Sequence, residues 1–189
     1  FIEAGGAIRA NQKGYGAASG PGAGLNGHNA SGGGYGGVGG RSNALEGGAT
    51  YGSILEPREL GSGGGNDDLL GGLGGGLLRL TVGGLLQVEG EISADGGAGS
   101  AESWGAYASG GGSGGSIWID AGSLSGAGSI HADGGRSGGY SGGGGGAPNY
   151  VAGYSNRLVG VGTSQAVTGL TAATAYYFRL RAENACGIG

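Results

Sequence analysis

The sequence predicts an all-β protein: a parallel β-solenoid of short stacked strands, with glycine-rich polyproline-II-like segments beside it. Three observations lead to this fold class. One phrase is repeated along the chain, the glycine content is extreme, and side chains recur at every second or every third position. The repeat weighs most, because units that recur at a fixed spacing usually stack on one another and share one continuous core.

The repeated phrase has two full copies, residues 76–97 and 115–135, and a partial copy at residues 6–11. Each copy contains Gly-x-Ile-x-Ala followed by Asn or Asp. Aligning Leu85 with Leu124 gives an offset of 39 residues, whereas Ile92 and Ile130 are 38 apart, so the copies differ by one residue. Alternating apolar residues in each copy predict strands of roughly three to five residues that end at glycine turns.

Glycine accounts for 57 of the 189 residues, against a usual level of roughly 7%. The absence of a Gly-X-Y register and the low proline content exclude collagen. Residues 32–40 carry a side chain at every third position, which is the period of a polyproline-II helix. A flexible linker is the alternative, but the widely spaced Tyr15, Tyr35 and Tyr51 favour an ordered segment over residues 14–76.

Charge and residue usage exclude several classes of protein. The net charge is −4, and no basic cluster provides for nucleic-acid binding. No apolar run approaches the roughly 18 residues of a membrane span. The single cysteine, Cys186, is interpreted as a strand-end residue. Neither His28 nor His131 has a neighbour at metal-ligand spacing. His131 aligns with Ser93 of the other copy, outside the alternating apolar set, and is therefore expected to be exposed. No catalytic constellation is found, so the chain is not predicted to be an enzyme.

Several glycine phrases together resemble a known family. They are residues 6–11, 20–24, 31–37, 61–65 and 114–119. The combination resembles the glycine-rich β-solenoid domains of large bacterial surface proteins, and the resemblance covers about residues 1–147. It implies an exported, adhesin-like protein at the cell surface with no enzymatic role.

The composition changes at Ala147-Pro148, and glycine becomes sparse. Residues 170–184 alternate, with Tyr176, Phe178 and Leu180 on one face. This pattern resembles the E–F region of a fibronectin type III module, with Tyr176 at the tyrosine-corner position, although Ala172 replaces the usual proline.

The segment 148–189 is too short for a complete fibronectin type III sandwich, which needs about seven strands. A partial sandwich leaves an apolar face and free strand edges. We therefore expect this segment to take part in association between subunits, with Tyr176, Phe178 and Leu180 as the contact residues.

One acidic turn resembles the calcium-binding nonapeptide repeat of secreted proteins. Asn66, Asp67 and Asp68 follow a glycine run, and oxygen ligands at a glycine corner suit a hard cation. The alternative is an acidic surface turn, because Gly75-Gly76 stand where the next turn should supply Asn-Asp. Calcium is thus a possible ligand, and no other cofactor is expected.

A second acidic position recurs, since Asp95 and Asp133 each precede Gly-Gly. Aspartate at such a corner normally bonds to its own backbone, which is the preferred interpretation. Stacked carboxylates that bind an ion are the alternative.

The predicted function is structural. We expect a secreted subunit of a fibre, surface layer or adhesin stalk that associates with itself through backbone and strand-edge pairing. The alternative is an adhesin module that binds cell-surface glycans, which would need Tyr35, Trp104, Tyr107 and Tyr140 on one face. A polysaccharide lyase lacks sufficient clustered charge. Ice binding lacks a hydroxyl ladder, because Thr81 aligns with Asp120.

Overall fold

A computed structural model describes residues 1–53, 56–101 and 107–138, together with three short strands nearer the C-terminus. The described residues form strands, bends and turns without a helix, which confirms the all-β class. Accordingly, this part of the chain contains no helix long and apolar enough to cross a membrane.

The strands form two parallel sheets and one small antiparallel pair. The strands are β1 (Ala7–Arg9), β2 (Leu77–Gln87), β3 (Glu91–Ser93), β4 (Ser116–Ser125), β5 (Ser129–His131), β6 (Tyr150–Val151), β7 (Glu183–Asn184) and β8 (Gly187–Ile188). The parallel sheets have the strand orders β1-β3-β5 and β2-β4-β6, and β7 pairs with β8 antiparallel.

The three copies of the repeated phrase lie side by side in the β1-β3-β5 sheet. Ile8, Ile92 and Ile130 are direct neighbours in register. The predicted alignments of Thr81 with Asp120 and of Ser93 with His131 are confirmed. The chain therefore passes through the same two sheets in the same order in successive copies.

The lengths of two strands differ from the prediction. β2 has 11 residues and β4 has 10, and the glycines inside them do not end the strands. The register shifts between Val82 and Leu85, so Leu86, and not Leu85, pairs with Leu124. The extra residue of the first copy is absorbed at this irregularity, as in a β-bulge.

Side chains from both parallel sheets build one hydrophobic cluster. Ile92 and Ile119 are 0% and 1% exposed. Burying a side chain of this size stabilises a fold by about 1.5–3 kcal/mol. The alternating residues of β2 pack against the cluster and are partly buried, as the period-two pattern predicted. The buried members are Ile2, Ala10, Leu86, Val88, Ile92, Ala94, Ile117, Ile119 and Ala132.

The glycine-rich segments are ordered by backbone hydrogen bonds to one another. Gly61 donates to Gly75, and three residues further Gly64 donates to Gly72, at 2.8 and 2.9 Å. Gly75 and Gly72 donate in turn to the carbonyls of Ser113 and Gly110. The pairing advances by three residues, the repeat of a polyproline-II helix, whereas a strand repeats every two. The flexible-linker alternative therefore does not hold for these segments.

Hydroxyl groups are buried between the glycine segments and the sheets. The Tyr35 hydroxyl lies 2.6 Å from Ser116 Oγ, which donates to the carbonyl of Glu59 at 2.7 Å. The rings of Tyr35 and Tyr51 lie 4.8 Å apart, and the Tyr51 hydroxyl donates to the carbonyl of Leu60. Tyr35 is 1% exposed. Its predicted place on a glycan-binding surface is therefore wrong, because its ring and hydroxyl are both used inside the protein.

One strand beyond the predicted boundary at Ala147-Pro148 continues the repeat. Tyr150 and Val151 in β6 pair in parallel with Trp118 and Ile119 of β4. The predicted contact residues Tyr176, Phe178 and Leu180 lie outside the described residues.

Candidate functional site

A cluster of polar side chains lies on the outward face of the β1-β3-β5 sheet. The alternation of each strand turns the isoleucines towards the core, so Arg9, Ser93 and His131 share the opposite face in register. The guanidinium of Arg9 donates to both oxygens of Glu91, at 3.1 and 2.6 Å. Ser93 Oγ donates to the same carboxylate at 2.5 Å. The hydrogen bonds from Arg9, and then from Ser93, lower the pKa of Glu91 to about 2.

The corner residues that follow these strands form a ladder. The amide of Asp95 donates to Asn11 Oδ1, and the amide of Asp133 donates to Asp95 Oδ1, both at 2.8 Å. For Asp95, the predicted bond to its own backbone is therefore replaced by a bond to the backbone of the next copy. The parallel stacking decides this, because it places each corner amide directly beside the preceding corner side chain.

His131 lies between the carboxylates of this cluster. Its Nδ1 is 2.9 Å from Asp95 Oδ1 and 3.7 Å from Asp133 Oδ2, and its Nε2 is 3.7 Å from Glu91 Oε1. The side chain is 30% exposed, so the expectation of a simply exposed histidine is wrong. The 38-residue offset was the signal in the sequence, since it places Asp133 beside Asp95 and His131 beside both.

This cluster contains one group of side chains that could hold a metal ion. Ligand atoms of Asp95, His131 and Asp133 all lie within 4.8 Å of one another. One imidazole nitrogen with carboxylate oxygens is a donor set that first-row transition metals accept.

The acidic turn predicted to bind calcium is used for backbone capping. Asn66 Oδ1 accepts from the amide of Gly71 at 2.9 Å. The carboxylate of Asp67 accepts from the amides of Asn29 and Asp68, each at 2.9 Å, and its side chain is only 7% exposed. Asp68 lies on the surface. Calcium binding by this turn stays a prediction, and the oxygens of Asn66 and Asp67 already have donors.

The predicted aromatic surface is not assembled within the described residues. Tyr107 is 38% exposed and packs edge-on against His28, with ring centroids 5.1 Å apart. Trp104 and Tyr140 lie outside the described residues, and Tyr35 is buried.

A different aromatic position, which the sequence analysis did not single out, lies on β4. The guanidinium carbon of Arg79 is 4.6 Å from the ring centroid of Trp118, and that of Arg58 is 5.1 Å away. Arg79 and Trp118 are direct neighbours in the register of β2 and β4. The offset of 39 residues between the copies could have identified this pair.

No protein-family model matches the chain. No significant match is found among curated proteins or among solved structures. The likenesses to glycine-rich surface domains and to fibronectin type III modules therefore remain predictions from the residues.

Proposed function

We propose that this chain is an extracellular structural module, a subunit of a fibre, surface layer or adhesin stalk that associates with further copies of itself. In this proposal the stacked parallel strands form a short β-solenoid, and the glycine-rich segments form a bundle of polyproline-II helices beside it. The in-register stacking of Ile8, Ile92 and Ile130 carries the proposal. A phrase that pairs in parallel with its own copies within one chain offers the same edge to a copy from another chain.

The edge of β1 is the proposed contact. Gly6 accepts from the amide of Glu91, and Ala10 donates to the carbonyl of Ser93, so these residues face β3. Because backbone groups alternate along a strand, the amides of Ala7 and Arg9 point to the opposite edge. β1 is the terminal strand of its three-stranded sheet, which leaves this edge for a partner strand.

The corner ladder supplies a polarity to the contact. Within the part of the chain that the structure describes, the amide of Asn11 has no acceptor at one end of the ladder. At the other end, the carboxylate of Asp133 is 78% exposed. A donor end and an acceptor end favour a head-to-tail contact, and contacts of this type build filaments when they do not close into rings.

The test compares the full chain with two alanine-to-proline variants by negative-stain electron microscopy and light scattering over a range of concentrations. Ala7→Pro removes an edge amide without touching the β1–β3 hydrogen bonds. Ala17→Pro is the matched control, since Ala17 precedes Ala18 (φ 51°) in a turn closed by the Ser19 amide and the Gly16 carbonyl, a position that favours proline.

We expect concentration-dependent filaments from the wild-type chain and from Ala17→Pro, and at least a tenfold lower filament yield from Ala7→Pro. A monodisperse wild-type chain at every concentration would contradict self-association. Filaments from Ala7→Pro at the wild-type yield would contradict the β1 edge as the contact.

Association through the C-terminal segment is a separate part of the proposal. It follows from the apolar face predicted for Tyr176, Phe178 and Leu180. Phe178→Ser in the full chain should lower the amount of oligomer measured by sedimentation velocity, and an unchanged distribution would remove this segment from the proposed contact.

The alternative function is glycan binding, and one observation favours it. Trp118 on β4 is partly exposed, and the guanidinium of Arg79 on the neighbouring β2 lies over its ring. An aromatic ring beside a guanidinium suits a sugar that carries a carboxylate. Titration with an oligouronate should change the tryptophan fluorescence of the chain, and this change should be smaller in Arg79→Gln and in Trp118→Phe. Identical, flat titrations of all three proteins would exclude this alternative.

A further inference from the structure

We propose that Asp95, His131 and Asp133 form a binding site for a divalent first-row transition metal ion, with Zn²⁺ as the ion that fits the donor set best. The site lies at the corner where two copies of the repeated phrase meet. It rests on the geometry of this cluster alone and does not depend on the proposed structural function.

The ligand atoms lie near the separations that zinc requires, all within 4.8 Å of one another. Zinc binds imidazole nitrogen and carboxylate oxygen at about 2.0–2.2 Å in a tetrahedral arrangement. Two ligands of such a site lie about 3.4 Å apart by that geometry. His131 Nδ1 lies 2.9 Å from the nearer oxygen of Asp95 and 3.7 Å from that of Asp133. Binding therefore requires the Asp95 oxygen to move about 0.5 Å away from Nδ1, and the 78% exposed side chain of Asp133 can move towards the ion.

The opposite ring nitrogen of His131 faces a carboxylate, as histidine ligands of metals usually do. Such a partner orients the ring and determines which nitrogen binds the metal. Here Nε2 lies 3.7 Å from Glu91 Oε1. Glu91 is itself held in place by Arg9 and Ser93. The imidazole therefore presents Nδ1 to Asp95 and Asp133 while Nε2 points to Glu91.

The chemistry distinguishes this site from the predicted calcium turn. Calcium takes six to eight oxygen ligands, whereas an imidazole nitrogen selects transition metals. Without metal, Nδ1 donates its hydrogen to the carboxylate of Asp95. On binding, the metal takes the place of that hydrogen on Nδ1, and the hydrogen moves to Nε2, which faces Glu91. The charges of the two aspartates balance those of the divalent ion.

The site would join two copies of the repeat, because Asp95 belongs to the first copy and the other two ligands to the second. An ion that binds only the folded chain stabilises it in proportion to the logarithm of the ion concentration over its dissociation constant. Zinc should therefore raise the thermal unfolding temperature of the full chain.

The test is isothermal titration calorimetry, in which Zn²⁺ is titrated into the metal-free full chain and into three variants. His131→Ser removes the nitrogen ligand and introduces the residue type that β3 carries in register, at Ser93, so the sheet should accept it. Asp133→Asn weakens an oxygen ligand. His28→Gln is the matched control, because His28 lies 4.0 Å from Asp67 in a different cluster.

We expect one equivalent of Zn²⁺ to bind the wild-type chain and His28→Gln with the same affinity, and at least tenfold weaker binding by His131→Ser and Asp133→Asn. Co²⁺ should give the visible absorption of a nitrogen- and oxygen-ligated ion in the wild type and lose it in His131→Ser. No saturable binding by the wild type, unchanged binding by His131→Ser, or loss of binding in His28→Gln would each overturn the proposal. So would displacement of the Zn²⁺ by an equimolar amount of Ca²⁺.

Discussion

Replacing Gly72 with alanine should destabilise the protein strongly, although the change adds a single methyl group. Gly72 lies where three glycine segments meet. A Cβ at this position would lie 1.9 Å from the carbonyl oxygen of Gly97 and 2.7 Å from the amide nitrogen of Gly112. An ordinary contact needs at least 3.4 Å. The backbone of Gly72 or Gly97 would therefore have to move by about 1.5 Å.

The size of the effect follows from the hydrogen bonds that this retreat would break. The amide of Gly72 donates to Gly110, and its carbonyl accepts from Gly64, both at 2.9 Å, while Gly97 donates to Leu73 at 2.7 Å. Each bond contributes about 1 kcal/mol. Alanine in place of glycine also stabilises the folded state by about 0.4–1 kcal/mol, because it lowers the conformational entropy of the unfolded chain. The net loss is therefore about 2–3 kcal/mol.

Urea unfolding followed by intrinsic fluorescence measures this loss. With a urea dependence of about 1–3 kcal/mol per molar, the unfolding midpoint of Gly72→Ala should fall by about 1 M or more. Gly16→Ala is the control, because a Cβ on Gly16 meets nothing within 4 Å. Equal midpoints for the two variants would refute the close packing of the glycine segments.

Three further predictions concern single side chains. The pKa of Glu91 is lowered from 4.5 to about 2. Its contribution to stability is therefore present above pH 4.5 and is lost as the pH falls towards 2. Acid unfolding should show this loss in the wild type but not in Glu91→Gln. Burial raises the pKa of Tyr51 from 10.0 to about 12, so the stability that this residue contributes is complete below pH 10 and is lost as the pH rises through about 12. Absorbance titration should show a late-ionising tyrosine that Tyr51→Phe removes, and ionisation of every tyrosine near pH 10 would contradict the burial. Tyr35→Phe deletes the bond to Ser116 and should cost about 1 kcal/mol in urea unfolding, whereas Tyr107→Phe should change stability by less than about 0.5 kcal/mol; equal effects would contradict the buried hydroxyl network.

The proposed metal site was only partly predictable from the sequence. The repeat itself indicated that Asp95 and Asp133 are equivalent and that His131 matches Ser93. The neighbours of His131 along the chain nevertheless gave no metal-binding pattern, because the proposed ligands come from copies 38 residues apart. Only parallel stacking brings them within 4.8 Å. The buried position of Tyr35 could not be predicted from the sequence either, since a tyrosine among glycines can lie on the surface or in the interior of a protein.

The sequence by itself determined the all-β class, the pairing of the repeated phrases and the three-residue period of the glycine segments. These features follow from periodic patterns of residues, which can be read directly from the sequence. The tertiary structure alone decided the bulge between Val82 and Leu85, the partners of His131 and the role of each glycine. Gly16 and Gly72 are identical in sequence, and only the neighbouring backbone makes one of them replaceable and the other not, because close packing depends on atoms that are distant along the chain.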